Sequence, residues 1–143
     1  MHTKRLQSRV LSAKAIGRAR LLDKRMVCNK KSKDGSAKAN LVYSLGNVVW
    51  GVLYEINSAD LDSLDMAEGG YHRTKLQVLT DQGNLVKAEV YISTKVTSDL
   101  PYDCYKNFVL EGAREHRLPK DYLEYLEQLS SKPDLHKRQC HFI

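Results

Sequence analysis

The sequence predicts an α+β fold, and three observations predict it. The run NVVWGVLYEI, residues 47–56, is rich in β-branched and aromatic residues and reads as a buried strand, with Gly51 as the expected site of a bulge. TKLQVLTDQGNLVKAEVYIS, residues 74–93, alternates apolar and polar residues on both sides of DQGN, which is a hairpin signature. Tyr105, Phe108, Val109, Gly112 and Ala113 recur at the spacing that gives a helix one apolar stripe.

The remaining elements follow in chain order. SAKAIGRARLL and RMVCN read as two short strands, and KKSKDGSAKA, residues 30–39, as a polar loop. A first helix is expected over residues 58–67, with Asn57 or Ser58 as cap and Asp60 and Asp62 in its first turn. A second follows Pro101. Pro119 opens a third, whose buried side is Tyr122, Tyr125, Leu126 and Leu129. About five strands with helices in two separate places exceed what one flat sheet needs, so partial closure into a barrel is expected. We expect a single domain over residues 1–130 and a polar tail over 131–143.

Bulk properties narrow the class. The chain has 143 residues, 42% hydrophobic and 28% charged, as in an ordinary globular domain. No apolar run nears the roughly 18 residues of a membrane span. Three widely spaced cysteines, Cys28, Cys104 and Cys140, offer neither a disulfide framework nor a zinc ribbon, and Cys104 reads as a small buried hydrophobe. A cytoplasmic location is the simplest expectation. Residues 1–50 hold twelve Lys/Arg against only Asp23 and Asp34. That excess reads first as solvated surface, with a nucleic-acid-binding face or a transit peptide as alternatives. His136, Cys140 and His141 read as part of a basic tail rather than a metal cluster, so no metal is expected.

The chemistry lies in LDSLDMAEGGYHR, residues 61–73. Leu61, Leu64 and Glu68 share one helical face, and Gly69 and Gly70 end the helix at once. A carboxyl turned inward at a helix C-terminus, with Asp65 one turn back, is expected to resist ionisation and sit above the model value of about 4.3. Such a group is suited to shuttling a proton near neutral pH. Tyr71, Tyr91 and Tyr105 are either pocket walls or core aromatics. Arg73 reads as a surface ion pair.

The segments VVWGVLYEI, LDMAEGGY, VYIS and YKNFVLEGAREHRLPKDYLEYL, in that order and spacing, resemble the gamma-glutamylcyclotransferase-like family over most of residues 13–129. The resemblance implies a small mixed β-barrel with flanking helices. It also implies a cofactor-independent transferase or lyase activity that converts a gamma-glutamyl amine or peptide, a small-molecule substrate, into 5-oxoproline and a free amine. By the same resemblance Glu68, in L-D-x-x-E-G, is the general base and acid. Tyr71, Tyr91 and Tyr105 bind substrate. The family's Y-G-S-N loop is absent from this sequence, and Met1 resembles the methionine that follows it. Either the true start lies upstream of Met1, or the fold lacks the family's first strand and that loop, leaving an open edge that favours a homo-oligomer. The alternative is a non-catalytic binding or scaffold module that kept the barrel.

Overall fold

A computed structural model describes residues 2–135. Its elements are α1 (Thr3–Gln7), β1 (Lys14–Lys31), β2 (Ala37–Glu55), a 3-10 turn (Ser58–Asp60), α2 (Leu61–Ala67), β3 (His72–Thr80), β4 (Leu85–Ile92), α3 (Asp103–Glu115) and α4 (Lys120–Glu127). The strands form one antiparallel sheet in the order β2-β1-β3-β4. The α+β class and flanking helices are as expected. The closed, mixed barrel is not: among the described residues the sheet has four strands, all antiparallel, and it is not closed. It only curls, so that Lys31 N donates to Lys95 O (2.8 Å) and Thr97 N to Asn29 O (2.8 Å) beyond the end of β4.

Two expected short strands are one long strand. Asp23 takes a left-handed conformation (φ 57°) at the register shift between Leu22 and Lys24. Its Oδ1 accepts from Gly46 N at 2.9 Å, so the irregularity is stitched to β2 and pairing continues past it. The expected loop shrinks to the turn between β1 and β2. There Asp34 Oδ1 accepts from Ser36 N (3.0 Å) and Ser36 Oγ (2.5 Å). The hairpin at Thr80–Leu85 forms as read, with Gly83 at φ 83° and its N–H on Thr80 O at 2.9 Å. At the 3-10 turn and α2, where the sequence expects a capped helix, no side chain caps the N-terminus; Asp60 instead accepts from Ser12 Oγ at 2.5 Å.

Two apolar clusters hold the layers. In the larger, Ala19, Leu21, Met26, Val49 and Val78 of the sheet pack on Leu110, Ala113, Leu118, Tyr122 and Leu126. The smaller joins Leu6, Val10 and Ala13 of the N-terminal segment to Leu64 of α2, with Tyr54, Ile56 and Tyr91 against them. His116 Nε2 ties α1 to the end of α3, lying 2.8 Å from Thr3 Oγ1 and 3.1 Å from the Tyr54 hydroxyl. Cys104 is disulfide-bonded, correcting its reading as a buried free thiol, and Cys28 is a free cysteine. Met1, His136, Cys140 and His141 lie outside the described residues. Among the described residues no helix is long and apolar enough to cross a membrane.

Candidate active site

The helix α2 carries Leu64 into the smaller core, where it is 5% exposed. Glu68 is the capping residue one turn later, so its side chain shares that inward face. The carboxylate is mostly covered (19% exposed), and Oε1 accepts from Arg9 Nη1 at 2.8 Å. The sequence places Asp65 one turn before Glu68 as a like charge and gives Glu68 no partner cation; the structure supplies one. Arg9, also mostly covered, answers Glu68, while Asp65 accepts from the Tyr91 hydroxyl and faces Arg73 Nε at 3.5 Å. Arg73 is thus the ion-paired residue the sequence suggested, with Glu89 as a second acid at 3.9 Å.

The structure brings Tyr71 and Tyr91 together ring against ring and Tyr71 and Tyr105 onto one residue, Ala39, and the charge of Glu68 acts on all three phenols. Tyr71 and Tyr91 meet edge to face with ring centroids 6.4 Å apart. The Tyr71 hydroxyl donates to Ala39 O at 2.6 Å, and the Tyr105 hydroxyl accepts from Ala39 N at 3.0 Å. Ala39 lies on β2, an outer strand of the sheet, paired with Cys28 of β1. Its main-chain groups point away from β1, and the two phenols satisfy them in place of a neighbouring strand. All three phenols resist ionisation, chiefly through burial, and Tyr105 is pushed up to about 12.

Sequence reading missed the cations. Arg5 lies over the rings of Tyr105 and Phe108 (5.4 Å to each centroid), Lys38 over Tyr105 (4.5 Å) and Lys30 over Tyr71 (4.9 Å). Lys38 also pairs with Asp34 at 3.2 Å. Burial draws Arg5 and Lys30 below the ordinary ranges of their types, while Glu68 works against that shift. Part of the basic excess in residues 1–50 is therefore turned into this site rather than solvated. The signal lay in that charge asymmetry, but nothing in residue order says which lysine faces inward. A hollow of about 260 Å³ lined in part by Arg25, Trp50, Tyr122 and Tyr125 shares no residue with the site. Among the described residues no group of three or more His, Cys, Asp or Glu is placed to hold a metal.

Residues 48–126 match the AIG2-like family. Ninety-five residues are 34% identical to gamma-glutamylcyclotransferase of Homo sapiens, covering 64% of this chain and 50% of that protein. The Bos taurus protein of the same name is 35% identical over 97 residues, covering 65% and 50%. The chain thus spans about half the length of the curated relatives it matches. A solved structure described as gamma-glutamyl cyclotransferase superposes with a TM-score of 0.87 at 29% identity, over 97% of this chain and 86% of that one. A solved Homo sapiens protein described as uncharacterized gives the same TM-score, 0.87, and the same coverage of 97% and 86%, at 30% identity. YkqA of Bacillus subtilis, 19% identical with a TM-score of 0.73 over 90% of this chain and 49% of its own, shares the fold. With more than half of its residues in the family match and the same architecture throughout, the chain belongs to the AIG2-like family and is gamma-glutamylcyclotransferase-like.

Proposed function

We propose that the chain cyclises a gamma-glutamyl amine or peptide to 5-oxoproline and releases the amine, with Glu68 as the proton carrier. The observation that supports this reading is a mostly covered carboxylate anchored by Arg9, whose charge acts on Tyr71, Tyr91 and Tyr105. In the substrate the α-amine is an ammonium. Glu68 takes one of its protons, and the freed nitrogen lone pair attacks the γ-carbonyl carbon to close a five-membered ring. Glu68 passes that proton to the leaving nitrogen and the C–N bond to the amine breaks. Glu68 then takes the second proton from the ring nitrogen and hands it to the released amine. The amine departs as an ammonium and leaves a lactam with one N–H. One carboxylate so placed contributes about 10²–10⁴-fold. Nucleophile and carbonyl belong to one molecule, so the tyrosine rings serve by holding the folded, ring-ready conformer.

The assay is 5-oxoproline release from several gamma-glutamyl amines. Glu68→Gln keeps an oxygen for Arg9 and is expected to lose about two to four orders of magnitude in kcat. Undiminished turnover in that variant removes Glu68 from the mechanism. A second reading, a non-catalytic binding module, draws on the phenol hydroxyls already engaged with Ala39 and Asp65. No release from any substrate would leave that reading standing.

A further inference from the structure

We propose that Lys30 is a specificity-determining residue of the Glu68 site, binding a carboxylate carried by the amine portion of the gamma-glutamyl substrate. The inference rests on the cyclisation reading for its ligand, and on charge matching for its content. Of the four cations gathered here, two are already answered: Arg9 by Glu68 and Lys38 by Asp34. Among the described residues, neither Arg5 nor Lys30 has an acidic side chain at ion-pair distance or a hydrogen-bond acceptor for its charged group. Both instead lie against aromatic faces.

Lys30 is only 9% exposed, a rare position for a lysine without a counter-ion. Its place is kept open by Gly70. A Cβ at residue 70 would meet Lys30 Cε at 2.9 Å and Nζ at 3.0 Å, so no other residue leaves the ammonium where it is. The charged groups that face it are Glu68, Lys38, Lys95 and Asp34, and each acid among them is already paired with another cation.

The gamma-glutamyl half of a substrate supplies one carboxylate and one ammonium. That single carboxylate answers one unmatched cation and leaves the other. Arg5, on the Tyr105 and Phe108 side, and Lys30, on the Tyr71 side, stand over different rings and act as separate anion partners. A leaving amine with its own carboxylate completes the balance, a neutral one leaves Lys30 unanswered, and a cationic one adds repulsion.

The test uses N-glutaryl-glycine and N-glutaryl-glycinamide with the full chain, by titration calorimetry. Both lack the α-amine and cannot close the ring, and they differ only in the terminal carboxylate. The acid is expected to bind about tenfold more tightly than the amide. Lys30→Met, which keeps the apolar stem, is expected to bring the acid to the amide's affinity and leave the amide's within about twofold. Lys30→Gln gives the same result by a polar route if the methionine variant does not fold. Lys95→Met, at an exposed neighbour, leaves the preference intact. Equal binding of acid and amide, no binding of either, or equal weakening of both by Lys30→Met overturns the assignment. The 5-oxoproline assay judges the cyclisation separately: turnover without acid preference sinks only Lys30, and acid preference without turnover sinks only the cyclisation.

Discussion

Replacing Tyr71 by Phe removes one oxygen and leaves the ring, so it isolates what the hydroxyl does. That hydroxyl is 2.6 Å from Ala39 O, and the Tyr105 hydroxyl is 3.0 Å from Ala39 N. Tyr71→Phe strips the carbonyl of its donor, and Tyr105→Phe strips the N–H of its acceptor. The Ala39 peptide group is half-buried, so leaving it without a partner costs up to about 1–3 kcal/mol. For a chain of this length each kcal/mol lowers Tm by about 3–5 °C, so each variant is expected to melt roughly 3–15 °C below the parent. Because both bonds end on one residue, the double variant is expected to cost less than the sum; once the first is lost, the strand is free to shift. Thermal melts followed by circular dichroism measure all four proteins. Melts within a degree of the parent for both single variants would refute the reasoning. So would a Tyr71→Phe variant of unchanged Tm whose kcat collapses, since that hydroxyl would then act on substrate and not on β2.

Three other outcomes are expected. Burial works against ionising Asp34, but the bonds from Ser36 and the Lys38 ammonium outweigh it and hold the carboxyl at about 2, below its ordinary 3.8. Its ionised form therefore stabilises the fold above pH 3.8, and that contribution is lost as pH falls from 3.8 to about 2; the Tm gap between parent and Asp34→Asn should close across that window, and a constant gap would contradict the pairing. Leu126, 2% exposed at the centre of the larger core, should cost about 2–5 kcal/mol when cut to Ala, read as a lower urea midpoint at unchanged slope; a loss under about 1 kcal/mol would mean the helices do not share that core. Gly70→Ala places a side chain at φ 84° and obliges the end of Lys30 to move, so Tm should fall by a few degrees through the backbone, and an unchanged melt would contradict the left-handed turn at residue 70.

Elements whose signal is local were legible in the residues. The hairpin around DQGN and the helix stripe from Tyr105 to Ala113 needed only their own spacing to be read. Position of Glu68 on the Leu64 face was equally local. What escaped was set by partners distant in sequence. LLDKR looks like a strand break, yet Asp23 is fastened to Gly46 and the strand runs on. Residues 37–46 lack clean alternation because Ala39 and Asn40 are satisfied from outside the ladder, by two tyrosines and by Ser93. The short helix α1 holds its place through Leu6 in the smaller core and Thr3 on His116, contacts made across more than fifty residues of chain. Arg9, paired with Glu68, and Lys30, set over the Tyr71 ring, belong to the same class, since inward-facing cations leave no periodic trace.

The abrupt stop after Glu68 follows from what the next three residues must do. Had α2 continued, each residue would turn about 100° and climb 1.5 Å, carrying Tyr71 up the helix rather than across to β2. Instead the Glu68 carbonyl accepts from Tyr71 N at 3.2 Å, and Gly70 at φ 84° reverses the chain. Ser93 Oγ, just past β4, donates to Gly70 O at 2.7 Å and pins the reversal to the sheet. The turn therefore delivers the Tyr71 hydroxyl to Ala39 while leaving the Glu68 side chain behind on the apolar face, opposite Arg9. It also leaves room beside Gly70 for the end of the Lys30 side chain. A carboxylate on a greasy helix face is costly in isolation, and here it is tolerated because the same turn that ends the helix assembles the cation and ring partners around it.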